Sequence, residues 1–204
     1  MRILLNLCTP LLAIAMVFPG VGSGQSRDDY ASAIFAGGCF WCMEPPFDDT
    51  PSVIATTSGY TGGHVPEPSY EQVTTGRTGH FEAVEVRYDP AVVSYEELLD
   101  VFWRNIDPLD GGGQFCDRGG PYRSAIFYQT DSQRQAAEAS RKALEASRAL
   151  RGEVATQIVA ATEVYPAEPY HQDYYQKNPI RYKFYRYSCG RDRRLETLWG
   201  EPEA

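Results

Sequence analysis

Apolar residues along the chain fall into runs with either the two-residue period of a strand or the wider spacing of a helix. Ala33 to Ala36 is a short apolar run that stops at two glycines, and Val53 to Tyr60 is rich in β-branched residues. Phe81 to Tyr88 alternates between polar and apolar residues, which predicts a strand with one face in the core. Tyr122 to Gln129 and Gln157 to Ala161 are two further predicted strands.

Three segments have the composition and spacing of helices. Met43 to Asp48 predicts a short helix, whose two prolines are tolerated because a first helical turn does not use their missing N–H. Ser94, with Glu97 three residues later, forms a capping box ahead of an apolar stripe. Asp131 is the expected cap of the longest helix, which runs from Ser132 to about Leu150 and is rich in alanine.

The order of these elements predicts the fold class. The order β-α-β-β-α-β-α-β is typical of an α/β protein, here an α+β two-layer sandwich. We expect a ferredoxin-like core of mixed sheet with two main helices and long wrapping loops. Beyond Glu163 the chain is aromatic and broken by prolines, so we expect an irregular C-terminal tail with one or two short helices. This tail, which contains His171, is expected to fold back over the site.

The N-terminus has the pattern of an export signal. Arg2 is followed by a mostly apolar run from Ile3 to Phe18 and then by small residues. This predicts a secretory signal peptide over residues 1–24 and a single domain over residues 25–204. The run is too short and too interrupted for stable membrane insertion, although an uncleaved anchor is the alternative. The expected location is therefore periplasmic or secreted.

Composition excludes one class of partner. The 204 residues carry a formal net charge of −8, and no block of lysines and arginines is present. Nucleic acid is therefore not an expected partner. The sequence shows no obvious apolar stripe for self-association, so a monomer is expected.

Four cysteines remain after export: Cys39, Cys42, Cys116 and Cys189. In an exported protein they could form a structural framework. A domain of this size does not need such staples, however, and the C-x-x-C spacing of the first two favours a redox role. No histidine and cysteine spacing suits a tetrahedral zinc ion, so no metal is expected.

Cys39 is the predicted nucleophile. Gly37 and Gly38 allow a sharp turn before it, and a helix is expected to begin there. Backbone N–H groups at a helix start favour the thiolate, which is the reactive form of cysteine.

Two other segments bring polar side chains to strand ends. Glu82 shares a strand face with Val84 and Val86, where the core is expected, although the alternative is a structural carboxylate paired with an arginine. The loop from Asp117 to Ser124 delivers an acid, a tyrosine and an arginine to the next strand. Adjacent strands would bring these groups together.

Five ordered motifs closely resemble the A-type peptide methionine sulfoxide reductases. They are Gly38-Cys39-Phe40-Trp41, Gly59-Tyr60-Thr61-Gly62-Gly63, Pro68-Ser69-Tyr70, Thr78-Gly79-His80-Phe81-Glu82-Ala83-Val84 and Tyr122-Arg123-Ser124. The resemblance covers roughly Ile34 to Tyr185. It implies reduction of the S epimer of methionine sulfoxide, free or in oxidised proteins, as a repair reaction. It also implies no bound cofactor and an external thiol reductant such as thioredoxin.

The resemblance assigns roles to individual residues. It makes Cys39 the nucleophile, Phe40 and Trp41 the pocket for the methyl group, Glu82 the acid, Tyr70 and Tyr122 the hydroxyls around the oxygen, and Asp117 a further carboxylate of the site. These roles agree with the chemistry, because a thiolate displaces the sulfoxide oxygen only when that oxygen receives a proton. Burial favours the neutral, proton-donating form of Glu82.

Reduction leaves a sulfenic acid on Cys39, which a second thiol must convert to a disulfide. Cys42 is the favoured resolving residue, because one helical turn brings it close to Cys39. Cys189 and then Cys116 are the alternatives.

Two other functions compete with the reductase interpretation. One is a thioredoxin-like thiol oxidoreductase, in which Glu82 would have no role. The other is an exported binding module that a Cys39–Cys42 disulfide stabilises.

Overall fold

The computed structural model describes residues 30–147 and 150–200, so the predicted signal peptide lies outside the described residues. The strands are β1 (Ala31–Gly37), β2 (Val53–Thr61), β3 (Phe81–Tyr88), β4 (Gly113–Gln114), β5 (Asp117–Arg118), β6 (Ser124–Tyr128), β7 (Gln157–Ala160) and β8 (Tyr165–Pro166). The helices are α1 (Phe40–Asp48), α2 (Tyr70–Thr74), α3 (Tyr95–Arg104), α4 (Asp131–Ala146), α5 (Tyr174–Lys177), α6 (Pro179–Cys189) and α7 (Arg191–Trp199). A 3₁₀ turn covers Gly120–Tyr122.

The main sheet has the strand order β7-β6-β1-β3-β2-β8. Its four central strands, β6-β1-β3-β2, pair antiparallel in the order of a split βαβ unit, while β7 pairs parallel with β6. The predicted mixed sheet with a ferredoxin-like core is therefore confirmed. Among the described residues, no helix combines the length and the apolar character needed to cross a lipid bilayer.

Aromatic side chains from the sheet and two helices fill the core. Phe35 of β1 stacks on Phe47 of α1 and on Phe102 of α3, with ring centroids 5.1 Å apart in each pair. The predicted capping box starts α3, since the Glu97 N–H donates to Ser94 Oγ at 3.2 Å. This packing fixes β1 and α1 relative to each other, and the turn between them carries Cys39.

Several predicted helix boundaries were wrong. Helix α1 begins at Phe40, three residues before the predicted start, so its prolines lie inside the helix rather than in its first turn. Helix α4 is capped by Thr130 rather than Asp131, because the Gln133 N–H donates to Thr130 Oγ1 at 3.2 Å. The loop around Tyr70 contains the short helix α2, which has its own capping box.

The C-terminal tail is more regular than predicted, because three helices, α5, α6 and α7, follow one another where one or two short ones were expected. Gly190, in the left-handed conformation, separates α6 from α7. Arg191 then enters the core with 1% of its surface exposed. Its guanidinium donates to the Gly37 carbonyl at 3.1 Å and to the Asn105 carbonyl at 2.6 Å, which anchors the tail beside the end of β1.

Candidate active site

The turn between β1 and α1 positions Cys39 at the start of the helix. Gly38 has a φ of 82°, and a Cβ there would lie 2.6 Å from Gln114 Cβ, so both the conformation and the packing require glycine. Cys39 is the residue before α1 and is buried, with 6% of its surface exposed. The predicted strand and glycine turn are therefore present, and α1 begins directly after Cys39.

Glu82 lies at the start of β3, on the buried face that the alternation predicted. Its Oε2 accepts a hydrogen bond from the Phe40 N–H at 3.2 Å. Burial raises the pKa of Glu82 to about 8; the Phe40 hydrogen bond opposes this shift, and the negative charge of Asp117 adds to it. The carboxyl group is therefore mostly protonated at neutral pH and can donate a proton.

A cavity of about 70 Å³ opens beside these two groups. Its walls are formed by Cys39, Phe40, Trp41, Tyr70, Glu82, Asp117, Tyr122 and Tyr185. Every predicted site residue except the candidate resolving cysteines lines this cavity. The structure adds Tyr185, to which the sequence analysis gave no role.

Tyr70 and Tyr122 place two hydroxyl groups in the cavity. Burial and the nearby Glu82 together raise the pKa of Tyr70 to about 12, while a hydrogen bond with Tyr122 opposes the shift. Burial and the same carboxylate also raise the pKa of Tyr122. Both hydroxyls therefore keep their protons at neutral pH and can act as hydrogen-bond donors.

Asp117 and Tyr185 form a hydrogen-bonded pair on the opposite wall. The Tyr185 hydroxyl donates to Asp117 Oδ2 at 2.5 Å. Burial raises the pKa of Asp117, although this hydrogen bond opposes the shift. Tyr182, Tyr185 and Cys189 lie on one face of α6, and their spacing of three and four residues is the sequence signal that a helix here packs inward.

Cys39 and Cys42 are free, buried thiols in the structure. Burial raises the pKa of Cys39 well above its ordinary value, so the expected preference for the Cys39 thiolate is not met here. The interaction with the Cys39 thiol lowers the pKa of Cys42 to about 7, against the effect of burial. The positive charges of Arg191 and Arg186 act in the same direction, so Cys42 is the more acidic thiol.

The comparisons with known proteins agree with this geometry. The sequence profile of the family described as "Peptide methionine sulfoxide reductase" matches residues 31–203. The chain belongs to this family. It therefore reduces methionine sulfoxide, a reaction that repairs oxidised proteins.

Relatives of the reductase cover most of its length. The peptide methionine sulfoxide reductase MsrA of Bacillus licheniformis is 53% identical over 168 residues, which are 82% of this chain and 93% of that protein. That of Bacillus subtilis is 50% identical, with 82% of this chain and 95% of that protein covered.

Solved structures share the fold of the reductase. Methionine sulfoxide reductase A of Corynebacterium diphtheriae is 36% identical with a TM-score of 0.67, covering 76% of this chain and 77% of that one. Reduced Mxr1 from Saccharomyces cerevisiae is 29% identical with a TM-score of 0.71, covering 77% and 90%. Mxr1 in complex with Trx2 is 21% identical with a TM-score of 0.52, covering 74% and 89%, and shows the fold alone.

The C-terminal part of the reductase covers the first turn of α1, as predicted. The Trp41 indole stacks on Tyr174 with ring centroids 3.7 Å apart and planes 7° apart. The Tyr185 ring meets the same indole edge-on at 5.8 Å. Aromatic residues that are far apart in sequence thus form one apolar wall, which suits a methylthio group.

The remaining cysteines of the reductase are bonded to each other, forming the Cys116–Cys189 disulfide. Cys189 Sγ lies 4.0 Å from Asp117 Oδ2, so this disulfide lies at the rim of the cavity. It links the segment that carries Asp117 to the helix that carries Tyr185. Cys116 and Cys189 were predicted as alternative resolving residues or as part of a structural framework, and nothing in their separation of 73 residues indicated that they would pair.

Proposed function

We propose that this reductase acts on the S epimer of methionine sulfoxide, free or in proteins, with Cys39 as nucleophile and Glu82 as general acid. The observation that carries the proposal is the position of a buried, proton-bearing carboxyl group in the same cavity as a buried thiol. A sulfoxide needs both groups, since its sulfur must be attacked while its oxygen is protonated.

The first step transfers oxygen from the substrate to the enzyme. Cys39 gives its thiol proton to the thiolate of the more acidic Cys42, and its sulfur then attacks the sulfoxide sulfur. This attack forms a bond between the two sulfurs, and Glu82 protonates the sulfoxide oxygen, which leaves as hydroxide as the sulfur–oxygen bond breaks. The hydroxide then bonds to the Cys39 sulfur, and the sulfur–sulfur bond breaks with its electron pair going to the substrate sulfur. The substrate sulfur is reduced by two electrons and leaves as methionine, and Cys39 is oxidised to a sulfenic acid.

The other cavity residues act on substrate position and charge. Tyr70 and Tyr122 donate hydrogen bonds to the sulfoxide oxygen as its charge changes. Phe40 and Trp41 hold the methyl group against aromatic rings. Asp117, held by Tyr185, completes the polar side of the cavity.

The second step returns the enzyme to its reduced state. Cys42 attacks the Cys39 sulfenic acid, which forms a disulfide and releases water. An external dithiol then reduces this disulfide, and we infer a thioredoxin-like protein as its source. Cys42 is a free thiol whose backbone N–H donates to the Cys39 carbonyl at 3.0 Å, and this proximity supports Cys42 as the resolving residue. The existence of an Mxr1 complex with Trx2 is consistent with such a reductant.

We also propose that the protein is exported, with a signal peptide over residues 1–24, a periplasmic or secreted location and a monomeric state. The pattern of the first residues supports export. The Cys116–Cys189 disulfide agrees with it, because disulfides persist in oxidising compartments.

The test is turnover of the two separated epimers of a blocked methionine sulfoxide, with dithiothreitol as reductant. We expect the wild-type protein to reduce the S epimer only and Cys39→Ser to reduce neither. Reduction of the R epimer at a similar rate would contradict the stereochemical assignment. Failure with both epimers, together with exchange on a disulfide substrate, would instead support a thiol oxidoreductase.

A further inference from the structure

His171 is buried directly behind the cavity wall, with 1% of its surface exposed. Its Nδ1 accepts a hydrogen bond from the Trp41 indole N–H at 3.0 Å. A nitrogen that accepts a hydrogen bond carries no proton, so the imidazole is neutral and its proton is on Nε2. Among the described residues, Nε2 has no hydrogen-bond partner.

Several aromatic rings surround this imidazole. Its ring centroid lies 5.0 Å from that of Phe40, 4.5 Å from Tyr70 and 4.2 Å from Tyr170. Phe40, Tyr70 and the hydrogen-bonded Trp41 all line the cavity, whereas His171 does not. His171 therefore supports three wall residues from behind and does not reach the cavity itself.

The Trp41 hydrogen bond restrains a motion that stacking permits. The indole lies flat on Tyr174, with planes 7° apart, and such a contact allows it to slide and turn in its own plane. The bond from its Nε1 to His171 fixes that in-plane orientation. The edge of the indole that faces the cavity is thereby held in one place.

We propose that His171 is a positioning residue: as a neutral hydrogen-bond acceptor it fixes the Trp41 indole and thereby sets the affinity of the cavity for the substrate's methyl group. The proposal rests on the proposed function, since it concerns how the same cavity binds a methyl sulfoxide. It adds a residue that does not touch the substrate.

The proposal makes the protonation state of His171 important. Protonation would place a hydrogen on Nδ1, and two N–H groups would then face each other. Burial lowers the pKa of His171, while the charges of Glu168 and Glu71 oppose this shift. Glu168 Oε2 lies 4.0 Å from Nε2, and the other ionisable neighbours are the hydroxyls of Tyr70 and Tyr170. Substrate affinity should therefore fall at acidic pH as the imidazole becomes charged.

The test measures equilibrium binding of a blocked S-methionine sulfoxide by calorimetry in a Cys39→Ser background, which prevents turnover. His171→Phe keeps a ring but removes the acceptor, whereas His171→Asn keeps an acceptor oxygen near the position of Nδ1. We expect His171→Phe to weaken binding about tenfold, as expected for loss of one hydrogen bond, and His171→Asn to stay within about threefold. Equal binding by all three proteins would overturn the proposal, and so would equal weakening in both variants.

The pH dependence gives a second readout that does not require His171→Phe to fold. Between pH 8 and pH 5, affinity should fall about tenfold with His171 present and stay nearly constant in His171→Asn. Glu82 and Cys42 titrate both in the protein with His171 and in His171→Asn. A difference in the pH dependence of affinity between these two proteins therefore reports on residue 171. His64→Asn, at an exposed histidine, should keep the original pH dependence. The same pH dependence in His171→Asn would overturn the proposal, whereas failure of the wild type to reduce the S epimer would count against the proposed function instead.

Discussion

Glu82 Oε2 accepts the backbone N–H of Phe40, the residue that follows Cys39, at 3.2 Å. The acid is therefore tied to the same helical turn that carries the thiol, even though the two residues are 43 positions apart in the sequence. The Phe40 N–H that binds the Glu82 carboxyl group belongs to the peptide bond between Cys39 and Phe40. The proton donor is thereby anchored beside the residue that carries the nucleophile. This relationship makes the properties of Glu82 the most direct test of the mechanism.

Replacing Glu82 by glutamine should remove the transferable proton but keep the hydrogen bond from Phe40. We expect kcat for the S epimer to fall by roughly 10² to 10⁴, the range for loss of a general acid, while the thermal unfolding transition is retained. Glu85→Gln is the matched control, since Glu85 is on the same strand and only half-buried. Near-normal turnover by Glu82→Gln would remove Glu82 from the mechanism.

The pKa of Glu82 also predicts how activity depends on pH. Burial raises that pKa to about 8, so the acid is protonated below this pH and loses its proton above it. We expect kcat/KM to fall as pH rises through about 8. A profile measured with the S epimer and dithiothreitol tests this, and the alkaline fall should be absent from the residual activity of Glu82→Gln. A flat profile between pH 7 and pH 10 would contradict the assignment.

Cys42→Ser should uncouple the two steps of the reaction. Because the sulfenic acid on Cys39 would have no adjacent thiol, the variant should release one methionine per chain and then stop with thioredoxin as reductant. Rapid-quench measurement of methionine gives this stoichiometry. The Cys116→Ser/Cys189→Ser double variant is the control and should continue to turn over. Unimpaired thioredoxin-dependent turnover by Cys42→Ser would move the resolving role to Cys189 or Cys116.

Tyr185→Phe should show what the pair with Asp117 contributes. The substitution keeps the ring that contacts Trp41 but removes the hydroxyl that donates to Asp117 at 2.5 Å. We expect kcat/KM to fall about tenfold or more, since hydrogen bonds to charged groups are the stronger ones. Tyr187→Phe, on the exposed side of the same helix, is the control and should leave steady-state kinetics unchanged. Equal kinetics in both variants would assign the Tyr185 hydroxyl no role in turnover.

Glu44 provides a prediction about stability. It is buried, its Oε1 accepts from Ser58, and its Oε2 has no hydrogen-bond partner among the described residues. Burial raises its pKa to about 7, above the value expected in the unfolded chain. Between about pH 4.5 and pH 7 the folded state therefore holds a proton that the unfolded state has lost, and stability falls as pH rises through this window.

Glu44→Gln should remove that loss. At pH 8 the variant should be more stable than the wild type by about 2 kcal/mol, or roughly 4–8 °C in Tm, and this difference should shrink towards pH 4.5. Thermal melts at several pH values measure it, with Glu145→Gln at an exposed position as the control. A constant difference across the pH range would show that Glu44 does not carry this dependence.

Local sequence patterns were sufficient to predict those parts of the site whose structure is set by residues adjacent in the sequence. The apolar run ending at Gly37 and Gly38 indicated the turn that holds Cys39, and the alternation around Glu82 indicated a carboxyl group in the core. Both patterns reflect short-range sterics and strand periodicity. Tyr70 and Tyr122, in contrast, were assigned through the family resemblance, because no periodicity points to a tyrosine hydroxyl in a loop.

The remaining features depend on contacts between distant parts of the chain. Arg191 lies in a run of charged residues that predicts a solvated surface, yet it is buried against carbonyl groups of β1 and α3. In the same C-terminal part of the chain, His171 and Tyr185 contact Trp41. Because these contacts span from 86 to 154 residues, neither hydropathy nor spacing could have located them.

The Cys116–Cys189 disulfide closes a covalent ring that contains β6, α4 and β7. A protease that cuts one peptide bond within this ring, for example at the exposed residues Arg151, Gly152 or Glu153, would not release either piece. The cleaved protein would migrate as one species on a non-reducing gel and as two after reduction. The ring therefore keeps the two halves of the active-site wall in one molecule even after the chain between them has been broken.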